Sequence, residues 1–425
     1  MTAACPLTSV SPRIRGGDTT AQFAPSEIGP LPLGWNTAKL GDILDFQNGV
    51  NADAKAYGSG IPFANVLEVL THSHLKAADI PDSVKLTKAQ VRSYRVRRGD
   101  VLFNRTSETQ EEVGLASVYA DDADIVFGGF VIRGRLKTDD FDPCYCGYAW
   151  RHPLVRRQII ARGQGAIRAN IGQSDLRTVI VPKPPLLEQH RIAEVISDAD
   201  EFAQALEALM AKRRAIKQDA MRQLMSGQRR LVGFRGQWKA GHFGELVRIR
   251  NEKIFTLGSP AAEWCVELEQ MEQGTGVVSA FSDARERAAT KYSFSAGDVL
   301  FGRLRPYLQK YWCADRAGVC STEIWPLTPS TRELNPRFLG HLVRTDAFIG
   351  AACAAYGTHM PRADWKALSA YTFPLPPTDE EQAAIAAVLT DMDDEMVYLS
   401  RKARKAQQLK QGMSQELLTG RVRLI

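Results

Sequence analysis

Two stretches decide how this chain is built: PPLLEQHRIAEVISDADE at residues 184–201 and PPTDEEQAAIAAVLTDMDDE at residues 376–395. Gln382 repeats Gln189 at an offset of 193 residues, and the offset then holds without a gap. Glu188 matches Glu381, Ile192 matches Ile385, Val195 matches Val388, Asp198 matches Asp391 and Asp200 matches Asp393. Further on Leu206 matches Leu399, Lys217 matches Lys410, Gln218 matches Gln411, Leu224 matches Leu417, Gly227 matches Gly420 and Leu231 matches Leu424. A match of this length marks an internal repeat. Each copy starts after prolines, which bar a helix upstream, and ends at a glycine suited to a left-handed cap, so each reads as one long helix.

The apolar residues of the first copy, Ile192, Val195, Ala199, Phe202, Leu206, Leu209, Ile216 and Ala220, fall at steps of three and four, broken by Arg213. That is the pattern of a coiled-coil seam. The second copy keeps it at Ile385, Val388, Met392, Leu399, Ala406, Leu409 and Met413, with Glu395 and Lys402 in its middle. The two helices are expected to pair with each other. About forty residues at about 1.5 Å each make a rod of about 60 Å, long enough to act as a ruler between two domains about one DNA turn apart.

The repeat continues upstream with looser spacing. LPLGWNTAKLGDI around Trp35 and Gly41 is echoed by FRGQWKAGHFGEL around Trp238 and Gly244, and RRGDVLFNR at 97–105 by SAGDVLFGR at 295–303. GQGAIRANIGQSDL at 163–176 has a weaker partner in AYGTHMPRADWKAL at 355–368. The chain therefore reads as a tandem duplication: a flexible arm at 1–30, a globular domain at 31–183, a long helix at 184–230, a second globular domain at 231–375 and a second long helix at 376–425. The globular domains read as mixed α/β. DIVFGGFVIRGRLK alternates like half-buried strand, and RFLGHLVRTDAFIGAACA has the period of an amphipathic helix. Between landmarks the two domains diverge, as two reading heads for two targets would.

A length of 425 residues exceeds one ordinary core, and 44% hydrophobic with 24% charged residues is a globular composition. No apolar run reaches the length of a membrane span, and the arm lacks the apolar region of a secretory signal, so a cytoplasmic protein is expected. The formal charge of +6 permits nucleic-acid binding without requiring it. Seven cysteines, Cys5, Cys144, Cys146, Cys265, Cys313, Cys320 and Cys353, lack the paired spacing of a zinc site or a disulfide framework. Cys144 with Cys146, and His72 with His74, offer two ligands each, so no metal is expected. There is no phosphate loop, dinucleotide fingerprint, nucleophile elbow or H-E-x-x-H pair, and KPPL and LPPT lack the acid of an amino-methyltransferase motif. The seven histidines are dispersed and read as surface or structural residues. No active site of its own is expected.

The proline-led P-x-x-x-E-Q-x-x-I helix starts, the L-x-x-G-x-x-R-L helix ends, the GDVLF strands and the tryptophan-led domain starts resemble the specificity subunit of type I restriction-modification systems, across nearly all of the chain after residue 30. The resemblance implies a non-catalytic DNA reader with two target recognition domains, each taking one half of a split, asymmetric site. It implies two long helices lying antiparallel, with a pseudo-two-fold axis. It implies two modification subunits, which carry S-adenosylmethionine and adenine methylation, and restriction subunits, which use ATP and magnesium; this chain would bind no cofactor. One chain can hold two identical partners if it presents nearly the same surface twice. The surface for this and for helix pairing would be Glu188, Gln189, Ile192, Val195 and Leu206, with Glu381, Gln382, Ile385, Val388 and Leu399. The second copy lacks the basic pair His190 and Arg191, so the two partner contacts are expected to differ in strength. A free-standing DNA-binding regulator and a coiled-coil protein scaffold are the alternatives; scaffolding leaves the two diverged domains unexplained.

Arg, Lys, Asn and Gln on protruding loops supply both phosphate and base-edge contacts. In the first domain the candidates are Asn104, Arg105, Thr106 and Ser107 after the GDVLF strand, with Gln164, Arg168 and Asn170. In the second they are Arg303, Arg305, Tyr307 and Lys310, then Thr358, His359 and Arg362.

Overall fold

The computed structural model describes residues 22–165, 168–354 and 361–425. Most of the expected arm lies outside the described residues. Its last part does not behave as an arm, because Phe23–Ala24 pairs antiparallel with Leu31–Pro32. The chain divides into two compact units, Met1–Ala205 with Ala403–Ile425, and Leu206–Lys402. Each unit therefore holds one globular domain together with parts of both long helices.

In the first unit a five-stranded sheet runs in the order Leu44–Asn48, Val131–Leu136, Val101–Asn104, Ala116–Tyr119, His74–Leu75. All neighbours are antiparallel except the last pair. Its core gathers Phe103, Trp150, Tyr145, Val155 and Ile159 with Ile192 and Ile196 of the first long helix and Leu417 and Leu418 of the second. In the second unit an antiparallel sheet runs Val247–Ile249, Ile324–Pro329, Val299–Gly302, Tyr311–Cys313. Ile385 and Leu389 from one long helix and Leu224 and Met225 from the other enter its core.

The repeated G-D-V-L-F stretch is explained by this sheet. Val101, Leu102 and Phe103, like Val299, Leu300 and Phe301, are buried in a central strand. The glycine before each is left-handed, Gly99 at φ 87° and Gly297 at φ 90°. The buried aspartate closes the turn: Asp100 accepts from the Arg97 backbone at 2.8 Å and from Arg135, and Asp298 from the Ser295 backbone at 2.8 Å and from Arg250. Two expected elements are interrupted. DIVFGGFVIRGRLK is two strands, Val126–Phe127 and Val131–Leu136, parted at Gly128–Phe130. The expected single helix around 337–354 is two, Pro336–Leu342 and Asp346–Cys353, because the Thr345 hydroxyl caps the second by accepting from the Phe348 N–H.

The long helices are Leu186–Met225 and Asp379–Leu418, forty residues each. Both stop at left-handed glycines, Gly227 at φ 73° and Gly420 at φ 68°. A Cβ there would strike Trp238 at 2.9 Å and Pro32 at 2.2 Å, the tryptophan-led domain starts, so glycine is required by space as well as by φ. Within the first unit Glu188 pairs with Arg423, and Asp200 further along the first helix pairs with Lys410 further back on the second, which makes the segments antiparallel. Within the second unit the same offset recurs: Glu381 pairs with Arg230 and Asp393 with Lys217.

The seam is turned by one residue from the expected one. The line Ile192, Ala199, Leu206, Ala220 is buried or half-buried, as is its equivalent Ile385, Met392, Leu399, Ala406, Met413. Its companion line is Ile196, Ala203, Met210, Lys217 and Leu224, not the line of Phe202, Leu209 and Ile216, whose residues are largely exposed. Leu409, the repeat of Ile216, is exposed too. On the companion line Lys217 reaches Asp393, and Ala203 is buried. Val195 and Val388 are accordingly only half-buried.

Candidate nucleic-acid interface

The antiparallel register brings three loops to one end of the first unit's sheet. Asn104 lies opposite Val131, and Asn48 opposite Ile132. The edge therefore carries Asn48–Asn51, Arg105–Ser107 and Gly128–Phe130. The Arg105 N–H donates to the Phe130 carbonyl at 2.8 Å, and the Ile171 N–H to the Arg105 carbonyl at 3.0 Å. Gln164 and Asn170 exchange backbone bonds at 2.9 and 2.8 Å, and Ala169–Asn170 pairs with Thr106–Ser107, so Gln164, Ala169 and Asn170 join the same edge. The sequence placed Arg105, Thr106, Gln164, Arg168 and Asn170 in two separate loops; the fold brings them together. Thr106 donates to Asn170 at 2.7 Å, and Arg168 lies 3.9 Å from Glu108.

Two candidates of this group are corrected. Asn104 is fully buried: its amide donates to the Glu112 carbonyl at 3.2 Å and its oxygen accepts from the Thr106 N–H at 3.2 Å. Ser107 is buried as well and donates to Glu112 at 2.8 Å. Both shape the turn and are spent on it, because a polar group shut away from water needs its partners.

The second unit repeats the frame. The Arg303 N–H donates to the Glu323 carbonyl at 2.9 Å, and the Ala363 N–H to the Arg303 carbonyl at 2.8 Å. The Arg303 guanidinium lies over Trp325, 5.1 Å from the ring centre, and its Nε is buried without an acceptor among the described residues. Arg362 is paired with Glu323 at 3.0 Å. Arg305 and Gln309 hold left-handed φ of 52° and 49°, and between them Tyr307 stands 50% exposed. Non-glycine residues in that region are costly and concentrate at functional sites. Lys310 is half-buried, and its ammonium donates to the Leu268 carbonyl at 2.8 Å. Thr358 and His359 lie outside the described residues.

Asn48, Asn51, Phe130, Gln173, Glu323 and Trp325 were not singled out from sequence. Gln173 bonds Asn48 across the edge, and Asn51 abuts Gly129. The Gly128-Gly129 pair was the available signal, since glycine pairs mark turns inside apolar runs.

The residues expected to form the partner surface divide by burial. Glu188, Gln189, Glu381 and Gln382 are buried within their own units. Glu188 accepts from Trp35 Nε1 at 3.0 Å and from Arg423; Glu381 accepts from Trp238 Nε1 at 3.3 Å and from Arg230. Gln189 accepts from the Asp142 N–H and donates to the Asp140 carbonyl, as Gln382 does with Asn335 and Glu333. The E-Q signature is thus an internal staple that ties each helix start to its own domain. Ile192, Leu206, Ile385 and Leu399 are core or seam residues.

Arg344 makes a bidentate pair with Asp393. Burial pushes the Asp393 carboxyl up, but the bonds from Arg344 and Lys217 hold it below the usual carboxylate range. Burial, with Arg344 beside it, pushes His341 down to about 4. His74 is also lowered, chiefly by burial, and its ring lies against the Cys144 carbonyl at 2.9 Å. The two-ligand fragments thus adjoin, yet among the described residues no three His, Cys, Asp or Glu side chains form a group able to hold a metal. No described helix is long and apolar enough to cross a membrane.

The family model of the type I restriction modification DNA specificity domain matches residues 32–218 and 286–411. The chain belongs to that family. A putative type I restriction enzyme MjaX specificity subunit of Methanocaldococcus jannaschii is 23% identical over 95% of this chain and 97% of its own length. The EcoDI specificity subunit of Escherichia coli is 21% identical over 85% of this chain and 82% of its own. Among solved structures, the type I restriction-modification S subunit from M. genitalium covers 90% of this chain and 96% of its own at TM-score 0.59 and 15% identity, a likeness of fold. The two spans matched by the family model each take in a GDVLF strand and much of one long helix, the segments that the internal repeat singles out.

Proposed function

We propose that this specificity subunit reads a bipartite, asymmetric DNA site, one half by each unit, and holds two modification subunits that methylate adenine there, with restriction subunits joining the assembly. The observation that carries this reading is one hydrogen-bonded frame occurring twice with different side chains on it: Arg105 with Phe130 in the first unit, Arg303 with Glu323 in the second. A common frame with unlike contents is what two half-sites of different sequence require, since phosphate contacts position a reader and side chains at base edges specify it. The length of the long helices would set the unspecified spacer between the halves. No catalytic step belongs to this chain in the proposal; S-adenosylmethionine sits on the modification subunits, and ATP with magnesium on the restriction subunits.

Two features support a partner bound twice. Ile216 and Leu409, repeat equivalents, leave apolar side chains exposed on the long helices. Each unit also has a groove beside a helix end, of 560 Å³ in the first and 680 Å³ in the second. They are lined by equivalent residues: Arg151, Lys410 and Gln411, and Arg344, Lys217 and Gln218.

The test is to map methylated adenines in DNA from cells that carry this chain with its modification partner. A split motif with unlike halves is expected. A continuous palindrome, or no methylation dependent on this chain, would end the proposal.

A further inference from the structure

The turn at Gly128–Phe130 stands in the middle of the first unit's loop edge, and its side chain is out of keeping with the polar residues around it. Phe130 is 56% exposed. Its backbone is held on every side. The carbonyl accepts from the Arg105 N–H at 2.8 Å, the Gly128 N–H donates to the Ala64 carbonyl at 2.9 Å, and the Val131 N–H returns to the Gly128 carbonyl at 2.9 Å. A Cβ at Gly128 would come within 2.6 Å of the buried Phe63 ring, and one at Gly129 would displace the Asn51 side chain. Arg105 Nη1 reaches the Gly129 carbonyl at 3.4 Å. The ring is therefore carried on a fixed turn, and little ordering is left to be lost when it meets a ligand.

We propose that Phe130 reads a thymine of the first half-site by packing against its 5-methyl group in the major groove. The inference rests on the reading of this edge as the DNA face. Arginine and asparagine are the side chains that bond guanine and adenine edges in that groove, and Arg105 and Asn51 both meet the turn that carries the ring, at Gly129. The apolar feature that the same groove offers is the thymine methyl, for which phenylalanine is a partner. The second unit shows that the frame itself needs no aromatic side chain. Glu323 holds the corresponding place, its carbonyl accepting from the Arg303 N–H and its carboxylate tied to Arg362. A wedge driven between base pairs is the other use of an exposed ring at DNA. It needs a freely protruding side chain, and nearly half of Phe130 is covered by its own domain.

The experiment uses the full chain assembled with its modification subunits and duplexes of the mapped site, each thymine replaced in turn by uracil, which lacks only the methyl. One thymine in the half-site read by the first unit should bind about fourfold more weakly as uracil, the size expected for one methyl withdrawn from apolar contact. Phe130→Ala should bind both duplexes equally, and Phe130→Leu should recover part of the preference for thymine. The residue is exposed, so these variants keep the fold. The proposal is overturned if no thymine in that half-site is sensitive, or if the uracil penalty survives in Phe130→Ala. It is overturned as well if 2-aminopurine in the half-site brightens on binding the wild-type protein but not Phe130→Ala, the mark of a wedge. Failure of the wild-type assembly to bind the split site at all would instead remove the DNA-face reading beneath it.

Discussion

Replacing Arg423 by alanine tests the staple at the start of the first long helix. Arg423 donates to Glu188 through Nε at 2.6 Å and Nη2 at 2.9 Å, and its Nη1 donates to the Leu33 carbonyl at 3.0 Å. The Glu188 side chain is 3% exposed and that of Arg423 is 12%. The substitution leaves a carboxylate in the core with only the Trp35 N–H for company. Breaking a buried pair on one side costs about 3–5 kcal/mol, and the partial exposure of the arginine places this case near the lower end. For a unit of this size, about 3 kcal/mol lowers the melting temperature by about 6–12 °C. Calorimetry should show that loss in the transition of the first unit. Arg230→Ala, which strips Glu381 in the same way, should produce a decrement of similar size in the second. The double variant Glu188→Leu with Arg423→Met, which removes both charges, should recover most of the loss, because the penalty lies in the stranded carboxylate. A melting temperature unchanged within about 1 °C in both single variants would refute the reasoning, since a loss of several kcal/mol must appear as a shift of several degrees.

Arg105→Ala and Arg303→Ala should each disturb one half-site, by about 1–3 kcal/mol at a single base position if the contact is bidentate to guanine, as read from binding to single-substitution panels. Arg303→Lys should fail to restore binding, because a lysine cannot lie flat on Trp325 as the guanidinium does. On the helices, Ala203→Glu should destabilise the chain by about 2–4 kcal/mol in urea titrations, since it puts a charge into the buried seam. Leu209→Glu with Ile216→Glu should change stability by about 0.5 kcal/mol or less yet weaken capture of modification subunits in gel filtration. His341, held at about 4 by burial beside Arg344, has a folded value below that of the unfolded chain, where histidine titrates near 6.5. The unfolded state therefore takes up its proton first. The histidine's contribution is intact above about pH 6.5 and is lost as the pH falls towards 4, by at most about 3 kcal/mol. His341→Asn should flatten that part of the pH dependence of the melting temperature.

The sequence by itself determined the duplication, the two long helices and the glycine stops. These rest on local rules that act wherever the residues stand: proline bars a helix, glycine caps it, and apolar residues every three or four positions make one face. The order of landmarks was legible for the same reason. Only the tertiary structure decided which residues of the GDVLF loops are available to a ligand, because Asn104 and Arg105 are neighbours in sequence but one faces inward to Glu112 and the other outward. It decided that the E-Q signatures are internal staples, since Trp35 and Arg423 reach Glu188 from opposite ends of the chain. It set the second line of the helix seam one residue on, at Ile196, Ala203 and Leu224, because each helix also packs into the core of a globular domain, which the pattern of Phe202, Leu209 and Ile216 along the chain does not report. It also brought Phe130 beside Arg105, which only the antiparallel register between distant strands can do. Pairing partners so far apart are selected by the packing of the whole sheet, and no local pattern carries that information.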